Sequence, residues 1–369
     1  MIYVYSGKRL SMSQQPEADE VIGALTDALE CTVSRDVDGA FELFMVYPRD
    51  GKNAESVKIN NWLYCPAGGE MGMQYFRIDQ ISRGIDGTLD IHASHLYYNA
   101  AAILAAPFGV ASNDNPATVS YLAWRDALEK AVRSVDSLQW GGFTIVGYTD
   151  EMTLNACSYE EAVNVKQVIQ DAIKDTGCFL KYQKFGVSLW RTSTTNVAPA
   201  FQIRYGKNLI DYSESVDATE FYTHIYPYYV VGDKVATHNG DIYPLEGLPP
   251  EYAGWRRIQG INLSRYYSGL DHELDLAILE TVIENWLSNH PWNPLPQTIS
   301  VEALDDGTGR FELGNIGSIY YTPTHTTITA YIVALSYDAL RDKVISIDIN
   351  KREKNITDTI AGLVKGGYL

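Results

Sequence analysis

Two short stretches of this sequence could support metal binding or acid–base chemistry. His92 and His95 are the only close pair among the seven histidines. On a β-strand, a spacing of three residues places the two rings on opposite faces, where they cannot share a metal ion. His272 lies between Asp271 and Glu273 at the start of a predicted helix, where acidic side chains favour the helix dipole. We therefore predict helix capping rather than an acid–base site, and no metal site.

Motifs for nucleophilic, zinc-protease and phosphate-binding chemistry are absent from the sequence. It contains no G-x-S-x-G, no H-E-x-x-H and no G-x-x-x-x-G-K-[ST]. The glycine pairs in residues 84–87 and 306–309 are flanked by predicted strands, which favours hairpin turns over phosphate loops. The sequence thus predicts no catalytic residue, no cofactor and no enzyme activity. Because the carboxylate pair of a glycosidase needs no local motif, a cell-wall peptidase or glycosidase remains the alternative.

The four cysteines, Cys31, Cys65, Cys157 and Cys178, are far apart in the sequence. None of them has the C-x-x-C spacing of a zinc or redox motif. We interpret them as reduced, partly buried thiols of a protein made in a reducing cytosol.

Charge and composition exclude several functional classes. The 369 residues include 46 acidic and 29 basic side chains, which gives a formal net charge of −17. Because phosphate groups are bound by basic surfaces, nucleic-acid recognition and attachment to anionic membranes are both disfavoured. No signal peptide is predicted, and no apolar stretch reaches the length of a membrane helix.

Tyrosine dominates the aromatic residues, with 26 tyrosines beside 10 phenylalanines and 7 tryptophans. A ring that is apolar with one polar end suits half-buried strand faces and wet interfaces. We therefore expect a β-rich protein with an interface to protein or sugar. The candidate interface residues are Tyr226, Tyr228, Tyr229, Tyr320 and Tyr321.

A sugar-binding platform is the alternative interpretation of the same aromatic residues. It would combine the tyrosines of the predicted strand 221–231 with Trp255, Tyr266 and Tyr267. A tyrosine-rich strand in a subunit interface is the simpler hypothesis.

Periodicity predicts the elements that must position these residues. In the first 95 residues, alternation predicts strands, whereas one apolar stripe predicts a helix at 18–29. The predicted strands lie at 41–47, 63–65, 74–82 and 89–95.

Residues 96–200 have the character of a small α+β unit. A helix is predicted at 119–135. A second helix is predicted to start at Ser158, which forms a capping box with Glu161, and to end at Gly177. A hairpin is predicted to follow over 178–191.

The remainder of the chain is predicted to return to strands around one long helix. The helix covers 271–290 and is stopped by a proline. A proline-containing excursion is predicted at 233–257, and a weak helix at 352–369. The predicted strands lie at 221–231, 297–303, 318–321, 326–337 and 343–350.

The order of short motifs in the last hundred residues is recognisable. The stretch 296–304 precedes Leu313-Gly314-Asn315 at the entry to a strand, and a later strand ends in Tyr337 and Asp338. This pattern resembles the C-terminal barrel of the tail-associated hub family of long-tailed bacteriophages, also described as prophage tail endopeptidase. The family has an aspartate where this chain has Asn315.

Two further stretches are similar to the same family. Residues 92–98 resemble the end of its first barrel, and 221–229 resemble the strand that returns the chain into the second barrel. The resemblance implies an α+β fold with two tube-like β-barrel domains and inserted α+β domains. The implied domains are a first barrel at 1–95, an α+β domain at 96–200, a second barrel at 201–352 with an excursion at about 232–296, and a tail at 353–369.

The resemblance also implies a function and a set of partners. Hub proteins of this family form a homotrimeric ring that presents six barrels, and so adapt a sixfold tail tube to a threefold tip. The implied partners are a distal tail or tube protein, a tape-measure protein and tip or receptor-binding proteins. DNA would pass through without specific binding, and no stable membrane insertion is expected. The implied location is the virion tail tip, after synthesis in the bacterial cytoplasm. A carbohydrate-binding adhesin is a further alternative.

Overall fold

A computed structural model describes most of the chain. The described residues are 1–7, 21–110, 118–135, 144–147, 153–176, 178–183, 186–190, 199–216, 222–231, 234–238, 240–248, 250–252, 254–266, 276–289, 297–303, 311–324 and 326–350. Within them the protein is mainly β-sheet, with three α-helices.

The first quarter of the chain forms seven strands with alternating buried and exposed residues. These are β1 (Ile2–Tyr5), β2 (Val21–Leu25), β3 (Glu30–Asp36), β4 (Phe41–Pro48), β5 (Trp62–Pro66), β6 (Met73–Arg83) and β7 (Thr88–His95). The predicted strands of this region are confirmed, including the antiparallel pair β6–β7.

The helix predicted at 18–29 is wrong where the structure describes it. Residues 21–25 form β2, which pairs with β1 from Leu25 opposite Ile2 to Val21 opposite Tyr5. Two members of the supposed stripe, Ile22 and Leu29, are exposed. Pairing with β1 therefore outweighs the local helical pattern, as is common for short apolar segments.

The middle of the chain contains two helices and several short strands. These elements are β8 (Leu104–Ala105), β9 (Phe108–Val110), β10 (Thr118–Ser120), α1 (Tyr121–Val135), β11 (Thr144–Gly147), β12 (Thr153–Asn155), β13 (Cys157–Tyr159), β14 (Val163–Asn164), α2 (Val165–Thr176), β15 (Phe179–Gln183) and β16 (Gly186–Trp190). Helix α1 and the β15–β16 hairpin confirm two predictions.

The predicted capping box of α2 is wrong. Ser158 lies in β13, where it pairs with Gly109 of β9. The helix begins later, and Asn164 is its N-cap, because its Oδ1 atom accepts the N–H of Gln167 at 2.8 Å. Gly177, the predicted C-cap, lies outside the described residues.

The described residues of the last part of the chain form ten strands and one α-helix. They are β17 (Phe201–Arg204), β18 (Leu209–Val216), β19 (His224–Val231), β20 (Lys234–Thr237), β21 (Tyr243–Pro244), β22 (Ile258–Asn262), α3 (Leu276–Asn289), β23 (Gln297–Ala303), β24 (Ile316–Tyr321), β25 (Thr326–Asp338) and β26 (Lys343–Asn350). The predicted strands and the long helix are confirmed in their described parts. The acidic helix start at 271–273, the turn at 306–309 and the weak helix at 352–369 lie outside the described residues.

Strands from both ends of the chain form one sheet of thirteen strands. Its main order is β18-β23-β26-β25-β3-β4-β7-β6-β5-β1-β2, and β24 joins β17 to β25. The junction is the antiparallel pair β25–β3, which runs from Ala334 opposite Asp36 to Asp338 opposite Thr32. Residues 1–95 and the later strands are thus joined by direct strand pairing.

The sheet is strongly curved over its first half. Cys31 of β3 and Cys65 of β5 have their Sγ atoms 3.6 Å apart, although β4, β7 and β6 lie between these strands in the sheet. The enclosed space is filled by buried side chains, including Phe41, Leu43 and Phe76. All four cysteines are buried, and none of them forms a disulfide bond.

Strand β19 belongs to a separate sheet of four strands. It pairs with β20 and β21 on one side and with β22 in parallel on the other. Its core includes Ile225, Tyr229 and, from α3, Leu279 and Ile283. The hypothesis that 221–229 returns the chain into a second barrel is therefore wrong, because β19 does not pair with the large sheet. The division into four domains stays a prediction.

Candidate functional site

A polar face runs across the junction between the two halves of the large sheet. Ser346, Ser336, Ser34 and Glu42 are consecutive cross-strand neighbours on β26, β25, β3 and β4. The Oγ atoms of Ser34 and Ser336 are 3.0 Å apart, within hydrogen-bonding distance. Because strand side chains alternate, the intervening residues, such as Leu335, point to the core. We call this exposed surface the junction face.

Carboxylates line a shallow groove of about 200 Å³ on the junction face. Glu42 and Asp348 are half-buried there. Asp36 also borders the groove, but its Oδ1 atom accepts the N–H groups of Asp38, Gly39 and Ala40 and so organises the β3–β4 turn. The lining also includes Arg35, whose charge is paired with Glu312, and Lys166 lies near Glu42 and Asp36. The groove therefore combines three carboxylates with cations that partly offset their charge.

Glu42 connects the junction face to the middle of the chain. Its carboxylate oxygens contact His92 Nε2 at 3.1 Å and accept the hydroxyl of Tyr98 at 2.8 Å. Burial, and then the bond to Glu42, raise the pKa of Tyr98. Lys166 of α2 lies over the Tyr98 ring at 3.7 Å, a cation–π contact that joins α2 to the segment after β7. The bond from Tyr98 to Glu42 links that segment to the large sheet.

A buried ion pair lies beneath the junction face. The guanidinium of Arg35 donates to Glu312 Oε2 at 2.6 Å and to the carbonyl of Ala67 at 2.8 Å. The side chains of Arg35 and Glu312 are 2% and 13% exposed. Burial lowers the pKa of Arg35, and the charge of Glu312 opposes that change. The pair connects β3, the end of β5 and the segment before β24.

The two histidines singled out in the sequence point in opposite directions, as predicted. His92 is partly exposed beside Glu42, whereas His95 is 1% exposed. The His95 ring stacks on Phe41 with centroids 4.2 Å apart, and its Nδ1 atom accepts the N–H of Tyr97. Burial, with a smaller contribution from the charge of Arg35, lowers the pKa of His95 to about 3. We therefore assign His95 a packing role.

The five tyrosines predicted as interface residues lie in two separate sheets. Tyr226 and Tyr228 are half-buried on one face of β19, and Tyr229 points the other way into the core against α3. Tyr320 and Tyr321 are half-buried on β24 of the large sheet. The interface hypothesis therefore rests on four surface tyrosines at two sites.

The alternative sugar platform is not assembled as one surface. Tyr229 and Tyr266 are buried in the core of the four-stranded sheet, whereas Trp255 is 55% exposed. Tyr267 lies outside the described residues. Aromatic residues that are adjacent in sequence thus alternate between core and surface, because neighbouring strand residues face opposite sides.

Among the described residues, no group of three or more His, Cys, Asp or Glu side chains is arranged to hold a metal ion. In the same part of the chain, no helix has the length and apolar character needed to cross a membrane.

Comparison with known proteins identifies similar folds. Residues 197–360 match the family model described as prophage endopeptidase tail. Prophage tail protein gp18 from Listeria monocytogenes EGD-e superposes with a TM-score of 0.59 at 17% identity, over 99% of this chain and 98% of that one. The chain has the fold of prophage tail proteins. The resemblance inferred from the sequence is therefore confirmed.

Two other tail proteins share this tail-protein fold along nearly their whole length. A tail protein from Neisseria meningitidis MC58 has a TM-score of 0.58 at 11% identity, with 95% of both chains covered. The 43 kDa tail protein of prophage MuSo2 from Shewanella oneidensis has a TM-score of 0.55 at 12% identity, with 95% of this chain and 98% of that chain covered. No curated protein sequence matches.

The junction face was not predicted from the sequence. Its serines and Glu42 come from two strand pairs, β3–β4 and β25–β26, that are distant from each other in sequence, so no local motif marks them. The available signal was the alternation of β26, where Ser346 and Asp348 lie between isoleucines. The pairing partners of that strand could not be read from the alternation.

Proposed function

We propose that this chain is a structural hub subunit of a phage tail tip, and that three copies form a ring which continues the tail tube. The observation that carries the proposal is the continuous sheet, in which a curved half from residues 1–95 is joined by the β25–β3 pair to a half from residues 201–350. One subunit would then present two sheet halves side by side, and three subunits would present six. Such contacts are heterologous, so closure of the ring fixes the copy number.

The copy number of the chain in intact tail tips tests this proposal. We expect three copies by cryo-electron microscopy of purified particles. A monomer in dilute solution is compatible with the proposal, because ring closure can require the tube or tip proteins. Six copies, or one copy, would reject the adaptor role.

The junction face is the surface that we assign to the bore of the ring. It is partly exposed, rich in serine and bordered by the carboxylates of Glu42, Asp348 and Asp36. We expect a passage for DNA to lack a strongly basic lining, because such a lining would retain the duplex through counterion release. DNA would thus pass without specific binding.

Charge reversal on the junction face is expected to slow DNA release. In phage carrying Glu42→Lys with Asp348→Lys, we expect ejection to slow by roughly tenfold at low salt and to recover as salt rises. The matched control is Asp50→Lys with Glu55→Lys, which makes the same charge change in the loop after β4. Equal ejection rates for the two double variants would show that the junction face does not line the bore.

We further propose that the chain itself is not a hydrolase, although the matching family model carries the word endopeptidase. The proposal is supported by the fold shared with tail proteins and by the sequence, which has no nucleophile or metal motif. Purified protein should turn over neither casein nor peptidoglycan. Turnover that a single carboxylate or histidine substitution abolishes would establish an enzyme.

A further inference from the structure

Within the part of the chain that the structure describes, the outer edge of β22 is an open sheet edge. The strand pairs with β19 in parallel, from Ile258 opposite His224 to Asn262 opposite Tyr228. Next to its two ends, the carbonyl of Arg257 accepts the N–H of His224, and the N–H of Leu263 donates to the carbonyl of Tyr228. No strand among the described residues pairs with the other side of β22.

The alternation of a parallel strand shows which backbone groups are left at this edge. The backbone groups of Arg257 and Leu263 form hydrogen bonds to β19. In a parallel strand this orientation repeats at every second residue, so the backbone groups of Gln259 and Ile261 also point toward β19. The N–H and C=O groups of Ile258, Gly260 and Asn262 therefore point outward. All three residues are exposed, which leaves a row of donors and acceptors available to another strand.

The edge has none of the features that usually prevent strand addition. Its sequence, Ile-Gln-Gly-Ile-Asn, contains no charge and no proline. Gly260, in the middle, has no side chain to obstruct an approaching backbone. Ile258 is 44% exposed, and Tyr226 is the register neighbour of Gly260 on the same face. These side chains offer a surface that apolar side chains of an added strand could contact.

Charge indicates the kind of segment that fits. Arg256 and Arg257 are both exposed and directly precede the strand, in a chain whose net charge is −17. Two adjacent cations at one end of an otherwise uncharged edge would attract carboxylates at the end of an added strand.

We propose that the outer edge of β22 binds an extended segment of a partner polypeptide by strand addition, with acidic side chains of that segment beside Arg256 and Arg257. Backbone bonds to Ile258, Gly260 and Asn262 would supply affinity, and the two arginines would set the register. This inference depends on the four-stranded sheet alone and not on the trimeric ring.

Gly260 allows a matched pair of variants. Its N–H points outward, so Gly260→Pro removes a donor from the edge without breaking a bond inside the protein. A Cβ atom there would meet only the Tyr228 ring, at an ordinary 3.6 Å. Gly260→Ala adds the same Cβ and keeps the N–H, so it is the control.

The probe is a fluorescent peptide of alternating valine and threonine with glutamates at one end, together with a second peptide that carries lysines instead. We expect the acidic peptide to bind the full chain and Gly260→Ala within about twofold of each other, and Gly260→Pro roughly tenfold more weakly. Arg256→Glu leaves Arg257 in place and brings the net charge at this end of the edge to zero, so it should abolish the preference between the two peptides. Hydrogen exchange should show new protection of the amides of Ile258, Gly260 and Asn262 in the unmodified chain.

Three outcomes would overturn the proposal. They are no binding of the acidic peptide, equal binding by Gly260→Pro and Gly260→Ala, and binding without protection of the three amides. Self-association that Gly260→Pro abolishes, without peptide binding, would assign the edge to a second copy of the chain and would also reject the partner segment.

Discussion

Replacing Glu312 with alanine is expected to lower the free energy of unfolding by about 3 kcal/mol or more. Arg35 is almost completely buried, and Glu312 is the carboxylate that neutralises it at 2.6 Å. Without that carboxylate, the guanidinium keeps its charge in a poorly solvated position, with the Ala67 carbonyl as its remaining protein acceptor in the described contacts. Chemical denaturation of the purified chain measures the loss.

An exposed ion pair of the same chain is the control for this effect. Arg133 contacts Glu129 at 2.7 Å on the surface of α1, and the Arg133 side chain is 52% exposed. Glu129→Ala should cost no more than about 0.5 kcal/mol, because water screens and replaces the contact. Arg35→Met combined with Glu312→Leu should recover part of the stability lost in Glu312→Ala, since the buried charge is then removed. A loss for Glu312→Ala as small as that for Glu129→Ala would contradict a structural role of the pair.

Acid is expected to destabilise the protein through His95. The pKa of His95 is about 3 in the folded protein, against an ordinary value of 6.5. Between these values the unfolded chain holds a proton that the folded chain does not, so the free energy of unfolding decreases as the pH falls. The decrease is about 1.4 kcal/mol per pH unit, or roughly 4 kcal/mol from pH 6.5 to pH 3. The contribution of His95 to the free energy of unfolding is fully present above pH 6.5.

The pH dependence of a His95→Asn variant isolates this contribution from that of the carboxylates. The variant should be less stable at pH 7, because ring packing on Phe41 is lost, but its stability should fall less steeply between pH 6 and pH 4. The difference in slope corresponds to one proton. Equal slopes for His95→Asn and the unmodified chain would contradict the prediction.

Strand periodicity was a reliable guide wherever one face of a strand is buried. In β7, Leu89, Ile91 and Ala93 alternate with polar residues, and the structure places these three in the core. The opposite orientations of His92 and His95 follow from the same alternation. These features depend only on the local geometry of an extended chain, so the sequence determined them.

Short apolar segments were misassigned because their structure depends on distant partners. The segment from Val21 to Leu25 is a strand because β1 is available to pair with it. Ser158 has the local sequence of a helix cap, but β9 holds it in a strand. The segment around Tyr226 looked like a strand returning to the large sheet, and it pairs instead with β20, β21 and β22.

By itself, the sequence determined the β-rich character of the chain, its acidic charge, most of its strands and the resemblance to phage tail proteins. The tertiary structure decided which strands are neighbours, and with that the junction face, the Arg35–Glu312 pair and the open edge of β22. Each of these features joins residues that are distant in sequence or depends on which described strands pair with one another. Alternation along one strand fixes which side chains share a face, but the register and the choice of partner are set by the packing of the whole sheet.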